Sequence, residues 1–450
     1  MTRTHRTMRR SSAAFASAAV AGALILSACS SDSDPETDGS ESGDGGEETM
    51  EEEMVEIEMS WWGDDARAAL FDEVITLFEA EYPYISVTQT PVGSPDDLFN
   101  RLATDFGTGG ETAPDVFALG GAKPQEYGEV GALLDLATVA DTVQADKYPD
   151  FSTTNAVVDG TLYGLPTGGN ATAAFVNTDI LEAAGVDVPD ESWTWDDLVE
   201  IANTVSSAGL TTDSGEPVYG LDLRVQDIIG TYAGQETELG VYDWDGGLAV
   251  DADVIASWYE IELELQEGGG LPDATIVTAG WALPPDQQLY TLGQAAVTFG
   301  YSNLVGTYEM GGTTEILTPP TNTDKTGVAL LPSAFWSINA ASAHPEEAAL
   351  LVNWFLNEPA AAELIQDTRG VPFNPDTAAV VSPLLEGPSQ VAAEYVQSTL
   401  DSGTVAPPQP NGGANMNKYT QDGEAAVLFG DATPQEAAQT WVDQLSGDLS

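Results

Sequence analysis

The sequence predicts an α/β protein, because strand patterns and helix patterns alternate along most of the chain. Apolar residues first alternate with polar ones, the period of a half-buried strand, at Val55, Ile57, Met59 and Trp61. They then follow helical spacing at Leu70, Val74, Leu77 and Phe78. Pro83 ends that helix, and residues 84–90 predict a second strand. A strand, a helix and a strand of this length form a βαβ unit with a right-handed crossover.

The same alternation continues toward the C-terminus. Helices are predicted at residues 96–106, 126–136, 194–205, 288–292 and 344–357, with a last helix after Thr433. Between them, residues 114–121 and 294–300 predict strands that run into turns, and residues 162–177 predict extended chain. Thr194 with Asp197 and Thr433 with Glu436 have the spacing of capping boxes.

Composition limits the function classes. The length of 450 residues suggests two or three packed units, at about 150 residues each. One cysteine excludes an intrachain disulfide. The 12 basic and 73 acidic residues give a net charge of −61, which repels phosphate backbones and argues against nucleic-acid binding. The same charge argues against an anionic ligand, although a local basic pocket could override the total.

The N-terminus predicts export and a lipid anchor. Four arginines precede an apolar run, Ala13–Leu26, that is too short to span a bilayer, so residues 1–28 are predicted to be a secretory signal. The sequence Leu-Ser-Ala-Cys at residues 26–29 resembles a bacterial lipobox, in which Cys29 is acylated and becomes the first residue. Residues 29–54 are acidic, predict disorder and form a tether. The mature protein is therefore expected at the extracytoplasmic face of the cell membrane.

Five stretches in order resemble a known family. They are "SWWGDD…LFEAEYPYISV", "PDVFALGG…YGEVGALLDL", "LYGLPTGGNATAAFVNTDILEAAGVDVPDESWTWDDL", "LGQAAVTFGYSN" and "SINAASAHPEEAALLVNWFLNEPAAAELI". Together they resemble the extracellular solute-binding proteins of sugar-type ABC importers, the family that includes maltose-binding proteins. The resemblance covers roughly residues 55–445.

The resemblance implies a two-lobed, periplasmic-binding-protein-like fold with a ligand cleft between the lobes. Hinge crossovers are expected near Pro166–Thr172, Leu331–Phe335 and Gly370–Asn374. Residues 55–168 plus 334–370 would then form lobe I, and residues 169–333 plus 371–450 would form lobe II.

A sugar site needs a flat aromatic platform beside polar groups that donate and accept hydrogen bonds. Trp61 and Trp62 are both candidates, and Trp62 is the favoured platform because strand alternation turns Trp61 toward the core. Gly63 and Asp64 follow in the same turn, where Asp64 could instead cap the next helix. The remaining candidates lie in turns or loops or beside the expected crossovers: Gly120, Gly121, Asn170, Trp281, Tyr301, Asn303, Trp336 and Arg369.

Several candidates have structural alternatives. Gly120 and Gly121 could form a plain turn, Asn170 could belong to a loop, and Arg369 could complement a helix dipole. The other tryptophans lie on or beside predicted helices and are assigned to core packing: Trp193, Trp195, Trp258, Trp354 and Trp441.

The function predicted from these observations is binding without catalysis. A monomer without cofactor or metal would capture a neutral mono- or oligosaccharide and deliver it to the transmembrane subunits of an ABC permease. One alternative is a secreted, lipid-anchored glycoside hydrolase. It needs only two carboxylates, whereas a triad on His344 is disfavoured because that residue precedes a helix at Pro345. Another alternative is a binding protein for a peptide, an amino acid or a polyamine.

Overall fold

The computed structural model describes residues 54–328, 330–400, 406–410 and 412–449. The predicted signal, Cys29 and the tether up to residue 53 lie outside the described residues, so the lipid anchor stays a prediction. Within the described ranges, no helix combines the length and the apolar character that crossing a membrane requires.

Strands and helices alternate through the described chain. The strands are β1 Val55–Trp62, β2 Ile85–Val92, β3 Val116–Leu119, β4 Val157–Val158, β5 Thr161–Leu162, β6 Leu165–Asn177, β7 Tyr219–Asp222, β8 Ala295–Tyr301, β9 Thr314–Leu317 and β10 Leu330–Ile338. The α-helices are α1 Asp65–Glu81, α2 Pro95–Phe106, α3 Lys123–Glu129, α4 Ala140–Val143, α5 Asp150–Thr153, α6 Thr178–Ala184, α7 Trp195–Ser207, α8 Ile229–Thr237, α9 Ala252–Gly268, α10 Ala274–Gly280, α11 Val305–Tyr308, α12 Pro345–Asn357, α13 Pro359–Ile365, α14 Pro375–Val381, α15 Pro388–Leu400, α16 Met416–Leu428 and α17 Pro434–Asp448.

The main sheet mixes parallel and antiparallel pairs, which confirms the α/β class. Its order is β2-β1-β3-β10-β6-β8-β7, with β9 paired to β6. The predicted βαβ unit is present, because β1 and β2 are parallel from Val55 opposite Ile85 to Trp62 opposite Val92. β10 runs antiparallel to both β3 and β6, and β6 runs antiparallel to β8.

The long strand β6 changes partners along its length. Residues 165–171 pair with β10, whereas residues 172–177 pair with β8 and β9. Two hydrophobic cores result. The first packs around β1, β3 and α12, and the second packs around α7, α9, α17 and β8. Phe175 contributes to the first core and its neighbour Val176 to the second, because successive strand residues point to opposite faces. The lobe boundaries given above stay a prediction.

The local signals at the helix ends behave as the sequence predicts. Thr194 and Asp197 form a reciprocal capping box at α7, and Thr433 and Glu436 form another at α17. Asp64 caps α1, since its side chain accepts a hydrogen bond from the backbone N–H of Arg67 at 2.9 Å. These bonds satisfy backbone donors that the first turn of a helix leaves free.

Two predicted helices are wrong in extent. The helix predicted at 126–136 ends at Glu129, because Gly131 has a φ of 70° and Leu133 bridges to Asn339 beside β10. Residues 288–292 form turns instead of a helix. There the backbone N–H of Tyr290 donates to the carboxylate of Asp222 at 3.0 Å, and Gly293 follows with a φ of 69°.

The buried face of α1 also differs from the predicted stripe. Val74 and Phe78 are buried as predicted, but Leu77 is 40% exposed. Phe71 and Ile75 complete the buried face instead. Leu70 and Leu77, two turns apart, lie together at one edge of a buried stripe that is shifted relative to the predicted one.

Candidate ligand-binding cleft

A cleft of about 690 Å³ opens where several strands end. This volume falls in the range typical of small-molecule sites. The end of β1, the partner change of β6 and the end of β8 all border it, as expected for ligand sites in α/β proteins. Its lining residues come from the segments around 62–67, 121–125, 151–155, 170–172, 226–242, 301–303, 330–335, 367–370, 406–409 and 416–417, together with Gly327.

The structure brings six of the sequence-predicted site residues to this cleft. They come from both ends of the chain and from its middle: Trp62, Gly121, Asn170, Tyr301, Asn303 and Arg369. Their convergence supports the expectation that these positions share one crevice, and their roles toward a ligand are taken up below.

Trp61 and Trp336 lie in the first core, away from the cleft lining. Trp61 is fully buried, packs edge-on against Phe71 at 4.8 Å between ring centroids, and donates from Nε1 to Gln89 at 3.1 Å. Trp336 is 2% exposed and packs against Phe355. Strand alternation predicts the burial of Trp61, whereas Trp336 was a site candidate that β10 turns inward.

Gly63, Asp64, Gly120 and Trp281 also lie outside the lining. Asp64 is occupied as the cap of α1. Gly120 lies next to the Trp62 ring, since a Cβ at Gly120 would lie 3.5 Å from the indole. Trp281 lies in the turn that joins α10 to a short 3₁₀ helix at Pro285–Gln287, in agreement with the predicted loop before a helix.

Several neighbours hold Trp62 in place. Its ring meets Phe99 edge-on at 5.9 Å, and the guanidinium of Arg369 lies 5.0 Å from its ring centroid. Its carbonyl oxygen accepts hydrogen bonds from Arg369 at 3.2 Å and from Arg67 at 3.4 Å. Arg67 also donates to the carbonyl of Thr368 at 3.1 Å, which ties the end of β1 to the segment after α13. A fixed aromatic ring of this kind suits the apolar face of a pyranose.

Arg369 occupies an unusual environment for a charged group. It is 6% exposed and lies within 6.0 Å of the rings of Trp61, Trp62, Phe71 and Trp336. Burial, with the nearby positive charge of Arg67 as a second cause, lowers the pKa of Arg369 to about 9. The aromatic faces compensate part of the lost hydration through cation–π attraction.

Another part of the cleft lining carries Tyr301 and Asp227. Tyr301 ends β8 and keeps 37% of its surface exposed. Burial, with Asp227 adding to it, raises the pKa of the Tyr301 hydroxyl to about 12, so the group stays a neutral donor and acceptor. Burial raises the pKa of Asp227 to about 6, although its ion pair with Arg224 at 3.1 Å opposes the shift. Asn170 donates to the hydroxyl of Ser333 at 2.9 Å, which links β6 to β10 inside the cleft.

The sequence reasoning missed several polar lining residues. The most informative are Arg67, Gln226, Asp227 and Gln409. Arg67 carried a usable signal, because it is one of few basic residues and lies three positions after the helix cap Asp64. The others lie in segments whose place in the fold no local pattern reveals.

Comparison with known proteins identifies the family of this chain. The family model described as "Bacterial extracellular solute-binding protein" matches residues 62–362. The chain belongs to this family. The finding agrees with the fold and with the extracytoplasmic location that the sequence predicts.

Individual relatives are distant. A 158-residue stretch is 30% identical to a binding protein from Brucella abortus, and the match covers 35% of this chain and 36% of that relative. The galactooligosaccharide-binding protein of Bacillus subtilis is 22% identical over 399 residues, covering 87% of this chain and 89% of that protein. The solved periplasmic oligogalacturonide-binding protein of Yersinia enterocolitica has a TM-score of 0.73 at 20% identity, covering 88% of this chain and all of that one.

The cleft of this solute-binding protein has the chemistry of a binding site. In the described part of the chain no group of three metal-ligating side chains comes together. The single described histidine, His344, precedes α12 and does not line the cleft. Aromatic rings, amides and hydroxyls line it, together with the charged groups of Arg67, Asp227, Asp367 and Arg369, and such groups can hold a polar ligand.

Proposed function

We propose that this protein captures a sugar or an oligosaccharide in the cleft and hands it to an ABC permease. The observation that carries the proposal is the fixed Trp62 ring beside amide and hydroxyl groups in a cleft of about 690 Å³. A pyranose presents apolar C–H faces and hydroxyl edges, and this lining offers a partner to each. Galactooligosaccharide and oligogalacturonide binding, named for the Bacillus and Yersinia relatives, support the same ligand class.

The ligand site consists, in this proposal, of the six predicted residues that line the cleft. Trp62 would stack on the sugar ring, and Tyr301, Asn170 and Asn303 would bind its hydroxyls. Gly121 would allow the ligand to approach the backbone closely, because it has no side chain. Arg369 would both fix Trp62 and contact the ligand.

Delivery requires an open and a closed form. Parts of β6 and β10 and Gly370 line the cleft, and movement about these expected crossovers would close it over the sugar. The ligand would shift this equilibrium by its higher affinity for the closed form, which the permease would recognise. Acylation of Cys29 and the acidic tether would keep the monomer at the extracytoplasmic face of the membrane, close to the permease.

Isothermal titration calorimetry of the mature chain against a panel of mono- and oligosaccharides tests this function. We expect saturable binding of at least one panel member and recovery of the sugar intact after the titration, since no catalysis is proposed. Recovery of shortened sugar would favour the hydrolase alternative. Binding of peptides, amino acids or polyamines with no sugar bound would replace the proposed ligand class.

Whether the sugar is uncharged depends on the cleft more than on the whole chain. The net charge of −61 favours a neutral ligand through long-range repulsion. Screening limits that repulsion to about 8 Å at physiological ionic strength. The charges that line the cleft therefore determine whether a neutral or a charged sugar binds.

A further inference from the structure

Two cleft arginines are the exceptions in a strongly acidic protein. The described residues include eight lysines and arginines, and six of them form ion pairs with Asp or Glu. Arg67 and Arg369 form none, and both line the cleft. With 73 acidic residues in the chain, a basic side chain without an ion pair requires a physical reason.

The two guanidinium groups are also close to each other. Both donate to the carbonyl oxygen of Trp62, at 3.4 Å from Arg67 and 3.2 Å from Arg369. Each keeps its buried Nε–H without a hydrogen-bond partner. A buried charge without a counter-ion is costly, and two like charges side by side add to the cost. An anion bound in the cleft would remove both costs.

The acidic residues of the cleft do not supply that anion. Asp227 is committed to Arg224 at 3.1 Å. Asp367 lines the cleft near Arg369 in sequence, yet its carboxylate forms no ion pair within the described chain. Asp65 and Asp64, the acids nearest to Arg67 in sequence, form no ion pair with it; Asp64 caps α1 outside the lining and attracts the Arg67 charge only from a distance. The positive charge of the arginine pair is therefore left for a ligand.

We infer that Arg67 and Arg369 bind a carboxylate of the captured sugar, so that the ligand is a uronic-acid-containing saccharide. The inference rests on the proposed function and specifies its substrate class. A uronate carries its carboxylate at the edge of the pyranose ring. A ring that contacts Trp62 would place that edge beside the two guanidiniums, whose planar forks match a carboxylate.

Matched pairs of ligands test the inference by calorimetry on the mature chain. Each oligosaccharide of galacturonate, glucuronate, mannuronate or guluronate is compared with its own carboxyl-reduced parent, which has the same ring and a neutral hydroxymethyl group. We expect at least one acidic member to bind roughly 10- to 100-fold more tightly than its neutral parent, as a charge-assisted hydrogen bond provides. Added salt should reduce the preference.

Variants assign the preference to the arginine pair. Arg67→Gln removes the less buried guanidinium and should abolish most of the acid preference, and Arg369→Gln should do the same. Lys147→Gln removes one positive charge outside the lining and should leave the preference intact. Thermal unfolding without ligand shows whether each variant folds. If Arg369→Gln does not fold, Arg67→Gln alone tests the role of the pair.

The outcomes separate this inference from the proposed function. Equal or tighter binding of the neutral parents would overturn the carboxylate inference and leave sugar binding intact. An acid preference that survives Arg67→Gln would overturn the role of the pair. Binding of sugar phosphates with no uronate bound would also overturn the inference. If no sugar of either set binds, the proposed function fails and the inference fails with it.

Discussion

Two buried carboxyl groups in the second core should make the stability of this protein fall as the pH rises. Glu262 of α9 and Glu424 of α16 are both fully buried. Glu262 accepts a hydrogen bond from the indole of Trp258, whereas its other oxygen and both oxygens of Glu424 have no partner. Burial raises the pKa of Glu424 to about 8, with the Trp281 side chain opposing part of the shift. Burial and the neighbouring Glu424 raise the pKa of Glu262 well above its usual range.

The size of the effect follows from the linkage between protonation and folding. Below the usual pKa of 4.5 both the folded and the unfolded chain are protonated at Glu424, so this group imposes no penalty. Above that pH only the unfolded chain releases the proton, until the folded chain also does so near pH 8. Between these two pKa values, each pH unit lowers the free energy of unfolding by about 1.4 kcal/mol. The total is about 4 kcal/mol between pH 5 and pH 8.

Urea unfolding of the wild type and Glu424→Gln, followed by tryptophan fluorescence at pH 5, 6.5 and 8, measures this effect. The glutamine cannot ionise, so the variant should gain about 4 kcal/mol relative to the wild type between pH 5 and pH 8. Glu267→Gln removes an exposed carboxyl from α9 and should follow the wild type. A constant difference between Glu424→Gln and wild type at all three pH values would refute the reasoning.

Three further predictions concern single positions. Trp61→Ala should lower the free energy of unfolding by about 3–5 kcal/mol, because the side chain fills the first core. Trp62→Ala should instead weaken sugar binding roughly 30-fold with a smaller loss of stability. Urea unfolding and calorimetry measure the two effects, and a larger stability loss for Trp62→Ala together with weaker binding for Trp61→Ala would contradict these roles. Gly220→Ala should destabilise by about 1–3 kcal/mol or more. Its Cβ would lie 2.1 Å from the carbonyl oxygen of Ala202, and an unchanged urea midpoint would contradict this. Cys29→Ser should move the protein from the membrane fraction to the medium and abolish palmitate labelling, and retention at the membrane would count against the predicted anchor.

Local patterns predict much of this fold because the interactions behind them are short-ranged. The alternation that buries Trp61 and turns Trp62 outward is a property of one strand. The caps at Asp64, Thr194 and Thr433 each depend on a hydrogen bond across three residues. The helix predicted at 126–136 ends early where a distant partner competes, because Leu133 bridges to Asn339.

By itself, the sequence determined the α/β class, the order of most elements and the helix caps, and half of the site residues that it predicted line the cleft. The tertiary structure alone decided that Arg67 and Arg369, about 300 positions apart, meet at one carbonyl without an acidic partner. It also decided that Trp336 faces the core and that Asp227 pairs with Arg224. Burial and electrostatic environment depend on which distant segments pack together, and no local spacing encodes that choice.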